Sequence, residues 1–228
     1  MQKVLGDGLS SLSLRSPYLI FLGDIQEAVD AKTGAGLVQW CSEKVAGQLR
    51  FDDCLVDLGI ADLSIDEAMA RGVKSIVIGV APTGGQISQS WMQVLEDAAV
   101  AGLDIVSGLH CRLEEFPRLV AAAESSGARL VNVRIPADNL PIGTGEKRSG
   151  KRLLTVGTDC AIGKKYSALA ITQCMKARGI NADFRATGQT GIMITGQGVP
   201  IDTVVADFIA GAAEVVSPAN AEHHWDII

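Results

Sequence analysis

Short apolar runs alternate with longer amphipathic stretches along this chain, and turn residues mark the changeovers. Residues 18–22, 75–80, 104–107, 130–134 and 153–156, with 182–185 next, have the length and β-branched content of buried strands. Helical periodicity covers residues 64–71, 90–101, 117–125, 164–178 and 203–213. Several helices meet a glycine just past their last periodic residue: Arg71-Gly72, Ala101-Gly102, Ser126-Gly127 and Arg178-Gly179. That is the place for a left-handed C-terminal cap. Strand, turn, helix, glycine and strand again predict an α/β fold with mainly parallel sheets.

The changeover at residues 153–170, LLTVGTDCAIGKKYSALA, carries the strongest chemistry. An apolar strand runs into a glycine-bounded loop and then into a helix that opens on lysine. Loop N–H groups and the helix macrodipole attract an anion, and lysine adds a point charge. The usual phosphate loop has four residues between its glycines, followed by Lys and Ser or Thr. Here five residues separate Gly157 from Gly163, and Lys164 is followed by Lys165. Gly157, Thr158, Asp159, Cys160, Gly163, Lys164 and Lys165 are therefore the candidate cofactor-binding residues. Which phosphates they hold, those of coenzyme A or those of ATP, is left open by the loop alone.

Residues 137–152 are rich in proline, glycine and basic side chains and predict a linker, dividing the chain into domains 1–149 and 150–228. The cluster Lys147, Arg148, Lys151 and Arg152 reads as a solvated linker, with an anionic cofactor at the neighbouring loop as the alternative. Residues 150–228 are too few for a complete phosphate-loop domain, so the chain is expected to stop partway through it.

Bulk composition narrows the classes. Hydrophobic residues make up 47% and charged residues 20%, as in an ordinary globular protein. A net charge of −6 argues against nucleic acid as a partner. No apolar run approaches the roughly 20 residues that span a bilayer. The expected location is the cytoplasm and the expected partner a small-molecule substrate, with no membrane; homo-oligomerisation is left open. The five cysteines lack metal or disulfide spacing, so no metal site is expected. Cys41, Cys54, Cys111 and Cys174 read as buried thiols, and Cys160 as a small packing residue whose place in the loop favours thiolate.

Residues 186–198, ATGQTGIMITGQG, read as a Gly-, Thr- and Gln-rich segment that lets backbone and amides approach a polar ligand. With the strand end before it, it supplies the candidate substrate residues Arg185, Thr187, Gln189 and Thr190. Lys32, near another strand end, is a further candidate for a substrate carboxylate. The catalytic candidates are His110, after a strand end, Asp159 in the loop, and Asp207. Asp202 and Glu214 are alternatives to Asp207, each equally explained by a structural role. His223 and His224 precede a last strand and are expected near the phosphate loop. Residues 79–85, GVAPTGG, form a second candidate anion loop without a basic residue.

Taken together, YLIFLGD (18–24), AKTGAGLVQW (31–40), SGLH (107–110), KRLLTVGTDCAIGKK (151–165), DFRATGQTGIMITGQGVPID (183–202), ADFIAGAAE (206–214) and HWDII (224–228) resemble the DgcN-type D-glutamate N-acetyltransferase family. The resemblance implies a Rossmann-like N-terminal domain followed by a P-loop NTPase-like α/β domain. It implies transfer of acetyl from acetyl-CoA to the amino group of D-glutamate or a related amino acid. The loop itself is similar to the GTDxxVGKT loop of dethiobiotin synthetases, which makes an ATP-dependent carboxylate- or carbamate-activating enzyme the alternative, with a non-catalytic nucleotide- or CoA-binding protein ranked after it. Lys165 stands where those synthetases have the hydroxyl that binds Mg²⁺. Family members continue past the last strand into an EGQGS segment.

Overall fold

The computed structural model describes residues 3–4, 10–11, 13–81, 87–136, 139–159 and 162–228. The chain forms two compact units, Ser13–Arg134 and Ile135–Ile228, the latter together with Met1–Leu12. The division falls after Arg134 rather than at 149/150, because the intervening segment is bonded to the later unit. Both Glu214 carboxylate oxygens accept from the Thr144 N–H at 3.0 Å, and one accepts from the Gly145 N–H at 2.9 Å. These backbone donors hold the Glu214 carboxyl below the usual carboxylate range.

The unit Ser13–Arg134 is a five-stranded parallel sheet. Its strands are β1 (Tyr18–Gly23), β2 (Val45–Arg50), β3 (Ser75–Ile78), β4 (Asp104–Ser107) and β5 (Leu130–Asn132), in the order β2-β1-β3-β4-β5. Every residue of β1, β3 and β4 is buried, which is why these strands read as continuous apolar runs. Helices α1 (Lys32–Trp40), α2 (Ile65–Ala70), α3 (Gln89–Val100) and α4 (Pro117–Ser126) supply the connections. Ser64 and Glu67 close a capping box on α2, and the Ser88 hydroxyl caps α3. The glycines expected as C-terminal caps, Gly72, Gly102, Gly127 and Gly179, all take positive φ, between 73° and 89°.

At the start of β4 the Asp104 side chain is fully buried between two arginines. Arg15 donates from Nε at 2.6 Å and from Nη2. Arg129 donates from Nε at 2.8 Å, Nη2 at 2.6 Å and its backbone N–H at 2.8 Å. Burial alone pushes the Asp104 carboxyl up, but these donors outweigh it and hold it below its ordinary range.

The later unit carries a smaller parallel sheet, β6 (Lys151–Leu153), β7 (Ala182–Phe184) and β8 (Trp225–Ile227), in the order β6-β8-β7. Helix α5 (Lys164–Ala177) covers one face, burying Ala168 against Ala182 and Ile227 with Leu153, Ile171 and Met175 around them. Helix α7 (Ile209–Val216) builds a second cluster, in which Ala212, Val215 and Val216 meet Val199 and Val204. The helix expected over 203–213 is shifted. Residues Ile201–Thr203 and Ala206–Phe208 are 3₁₀ turns separated by the extended, β-branched Val204 and Val205. Two-residue strands at Lys3–Val4, Ser10–Ser11 and Gln197–Gly198 pair antiparallel. Among the described residues, no helix is long and apolar enough to cross a membrane.

Candidate functional site

The phosphate loop departs from β6 at its C-terminal end and returns as α5. Gly163 sits at the N-cap with φ of +102°, a conformation that L side chains rarely adopt. At Gly157 a Cβ would lie 2.2 Å from Ile162 Cδ1, so the loop closes on itself over a bare backbone. No side chain caps α5 and no acidic residue stands in its first turn. Instead Lys164 and Lys165 place two positive charges at the positive end of the macrodipole, an arrangement that an anion relieves. The Lys164 ammonium folds back and donates to the Asp159 carbonyl oxygen. Lys165 Nζ lies 4.3 Å from the centre of the Tyr166 ring. Cys160 lies outside the described residues.

Beside this loop a cavity of about 750 Å³ opens at the C-terminal ends of all three strands. This is where parallel α/β sheets bind ligands. Thr155, Lys164 and Lys165 form one edge, Thr187 and Gly188 after β7 another, and Ile228 after β8 the floor. Leu154, Phe184, Ile201, Ile209, Ala213 and Val216 give it a mainly apolar wall, with Asp202 and Arg152 as its other charged members. The Thr155 hydroxyl ties the edges together, 2.8 Å from the Ile228 carbonyl and 3.2 Å from that of Lys164.

Opposite the α5 face, β8 carries a buried polar chain. Asp226 Oδ1 accepts from Arg185 Nε at 2.8 Å, and Oδ2 accepts from the Ser217 hydroxyl at 2.7 Å. Ser217 Oγ in turn accepts from Arg152 Nε at 2.7 Å. His224 Nε2 is buried 3.3 Å from Asp226 Oδ1 and 3.6 Å from Asp183 Oδ2.

Of the residues singled out in the sequence, the cavity brings together Arg152, Lys164, Lys165, Thr187 and Asp202. Arg185 instead turns to Asp226. The stretch 186–198 is not a loop throughout: Gln189–Thr195 is helix α6, closed by Gly196 at φ +78°, and Thr190 is buried within it. Asp207 and Glu214 do not share a helix, since Asp207 sits in a 3₁₀ turn and Glu214 clasps the segment at Thr144. Asp202 is the member of that acidic trio that lines the cavity.

Lys32 and His110 belong to the other unit, Lys32 as the first residue of α1 and His110 as an exposed residue after β4. Residues 82–85 of the second candidate anion loop lie outside the described residues. His224 is bonded through its carbonyl to the Lys151 N–H, at the N-terminal edge of the sheet, away from the phosphate loop. The basic linker cluster is neither solvated nor aimed at a ligand throughout. Arg148 and Arg152 donate to the Ser217 carbonyl at 2.6 and 3.2 Å, and Lys151 stacks over Trp225. Cys41 and Cys54 are buried thiols, but Cys111 is half-buried and Cys174 exposed. Sequence reasoning named Asp202 only as an alternative to Asp207, and it missed Thr155, Phe184 and Ile228, which read simply as strand positions.

A phosphate-loop α/β unit following a five-stranded parallel α/β unit defines the class. Residues 50–136 match the Rossmann-like domain, and residues 141–228 the P-loop domain, of the family described as Domain of unknown function DUF1611. The chain belongs to that family. The D-glutamate N-acetyltransferase of Tritonibacter scottomollicae is 49% identical over 215 residues, covering 94% of this chain and 65% of that protein. A D-glutamate N-acetyltransferase of Pseudoalteromonas sp. is 44% identical over 217 residues, covering 95% of this chain and 65% of that protein. This chain thus spans 65% of the length of each. The crystal structure of a DUF1611 family protein from Anabaena variabilis matches with a TM-score of 0.80 at 32% identity, over 94% of this chain and 66% of the other.

Proposed function

We propose that the chain transfers acetyl from acetyl-CoA to the amino group of D-glutamate or a related amino acid. The observation that carries this reading is the pairing of an anion cradle with an apolar cavity, in a chain 49% identical to a protein named for that reaction. Gly157, Thr158, Gly163 and Lys164 would hold a phosphate group of the donor, with the Asp159 carbonyl positioning the lysine. Thr187 at the cavity edge would contact the acceptor or the thioester. The amine must lose a proton before its nitrogen attacks the thioester carbon; the C–N bond then forms, the C–S bond breaks and CoA leaves as its thiol. Asp202 is the carboxylate best placed to take that proton, ahead of His110, Asp159 and Asp207, because it alone of the four lines the cavity.

A nucleoside triphosphate with Mg²⁺ fits less well, since Lys165 replaces the metal-binding hydroxyl with an ammonium. Incubation with acetyl-CoA and D-glutamate should release free thiol and form the N-acetyl product; protein that binds acetyl-CoA but releases none overturns the reading. Lys164→Ala should weaken acetyl-CoA binding about 10- to 100-fold in calorimetry, the worth of a charge-assisted hydrogen bond. Its thermal stability without ligand should be unchanged or slightly raised, because one unfavourable charge leaves the helix N-terminus.

A further inference from the structure

We infer that the cavity beside the phosphate loop seats the acyl-bearing arm of the thioester donor and admits straight acyl chains longer than acetyl. This deepens the acetyl-CoA reading and rests on it. Phosphates have no place against Leu154, Phe184, Ile209 and Val216, whereas an uncharged arm joined to an anion does. The two halves of such a ligand are matched by two adjoining surfaces. Lys164 and the first turn of α5 meet the charge, and the apolar wall lines the same cavity as Lys164 and Thr155. At about 750 Å³ the cavity exceeds the volume of a two-carbon acyl group, the remainder being shared by the donor's arm and the acceptor. Nothing in its apolar wall would exclude further methylenes, and each one buried there gains about fourfold in affinity, equivalent to ~0.8 kcal/mol.

The wall also offers a place to test size. Ala213 is solvent-exposed on α7 yet lines the cavity, so a larger side chain there fills space without disturbing the buried cluster. Leu154, 63% exposed, allows the wall to be made polar in the same way.

The experiment is calorimetric titration of the intact chain with 3′-phospho-ADP, CoA, acetyl-CoA, butyryl-CoA and hexanoyl-CoA. It is repeated on Ala213→Trp and Leu154→Ser. The expected result is affinity rising about fourfold per methylene from acetyl to butyryl. Ala213→Trp should abolish that rise and Leu154→Ser should reduce it, both leaving 3′-phospho-ADP binding within about twofold of the parent protein. A flat acyl series with CoA and 3′-phospho-ADP still bound overturns the cavity assignment alone. A rise that persists unchanged in both variants overturns it as well. Failure of the parent protein to bind CoA or 3′-phospho-ADP at all overturns the acetyl-CoA reading and this inference together.

Discussion

Asp226→Ala should destabilise the phosphate-loop unit by about 3–5 kcal/mol, the usual cost of stranding one member of a buried ion pair. The Asp226 side chain is 1% exposed and that of Arg185 13%, so neither can recover water when the other is removed. The carboxylate is shared: Arg185 uses one oxygen and the Ser217 hydroxyl the other, with Arg152 behind Ser217. Its loss also frees the end of β7, from which Thr187 and Gly188 enter the cavity wall, so donor affinity should fall with stability. Urea denaturation followed by circular dichroism reads the first effect and calorimetry the second. Replacing the pair together, as Arg185→Met with Asp226→Leu, should recover most of the stability because no charge is left stranded. A single variant as stable as the parent would show that the pair contributes nothing net.

Asp104→Ala should cost the unit Ser13–Arg134 about 2–3 kcal/mol, less than Asp226→Ala. The difference follows from where the partners lie. The Asp104 side chain has no exposure, but Arg15 is 45% and Arg129 43% exposed, so both guanidinium groups can turn to water once the carboxylate is gone. Removing both arginines instead should cost more, because it strands the buried carboxylate. The pH dependence has a definite sign. Asp104 has a folded-state pKa below its unfolded value, which is about 3.9. Its contribution is therefore complete above about pH 5 and lost as pH falls through the folded value. The parent protein should lose stability below about pH 4 along a limb that Asp104→Ala lacks. Identical acid limbs in the two proteins would exclude this carboxylate as a source of acid lability.

The α/β class and most elements were legible because burial on both faces makes β1, β3 and β4 read as apolar runs. The glycine caps then punctuate the helices. Where reading failed, a local rule had been overruled by packing. Strand β2 was passed over because Gln48 interrupts it. Yet Gln48 is fully buried, its amide donating to Asp57 at 2.8 Å and accepting from the Leu58 N–H at 2.9 Å. Helix α1 was hidden by two glycines, and Gly34 is needed there. Its N–H donates to the Gly79 carbonyl at 2.7 Å, and a Cβ would meet Ile20 Cγ2 at 2.8 Å. Helix α6 looked like a loop for a similar reason, since Gly191 packs against Phe184 and Ala186.

The candidate site divides the same way. Gly157, Gly163 and Lys164 could be read directly, since loop and helix start are contiguous in sequence. Thr155 and Ile228 could not, because the cavity gathers them only through the parallel register of β6 and β8, and Asp202 was read only as an alternative to Asp207. Arg185 was read as a ligand-facing cation and Arg152 as part of a solvated linker, but a carboxylate and carbonyls within the fold engage them first.

If the phosphate loop holds the acyl donor, the start of α5 makes donor supply a folding variable. A cation at that end of a helix works against it by about 0.3–1 kcal/mol, and a bound anion offsets this. A ligand that binds only the folded form then adds RT ln(1 + [L]/Kd), about 2.7 kcal/mol at a hundredfold excess over Kd. If acetyl-CoA is that ligand, the unit is at its most fragile when the acetyl donor is scarce. The protein's own lifetime would then follow the abundance of the molecule it consumes.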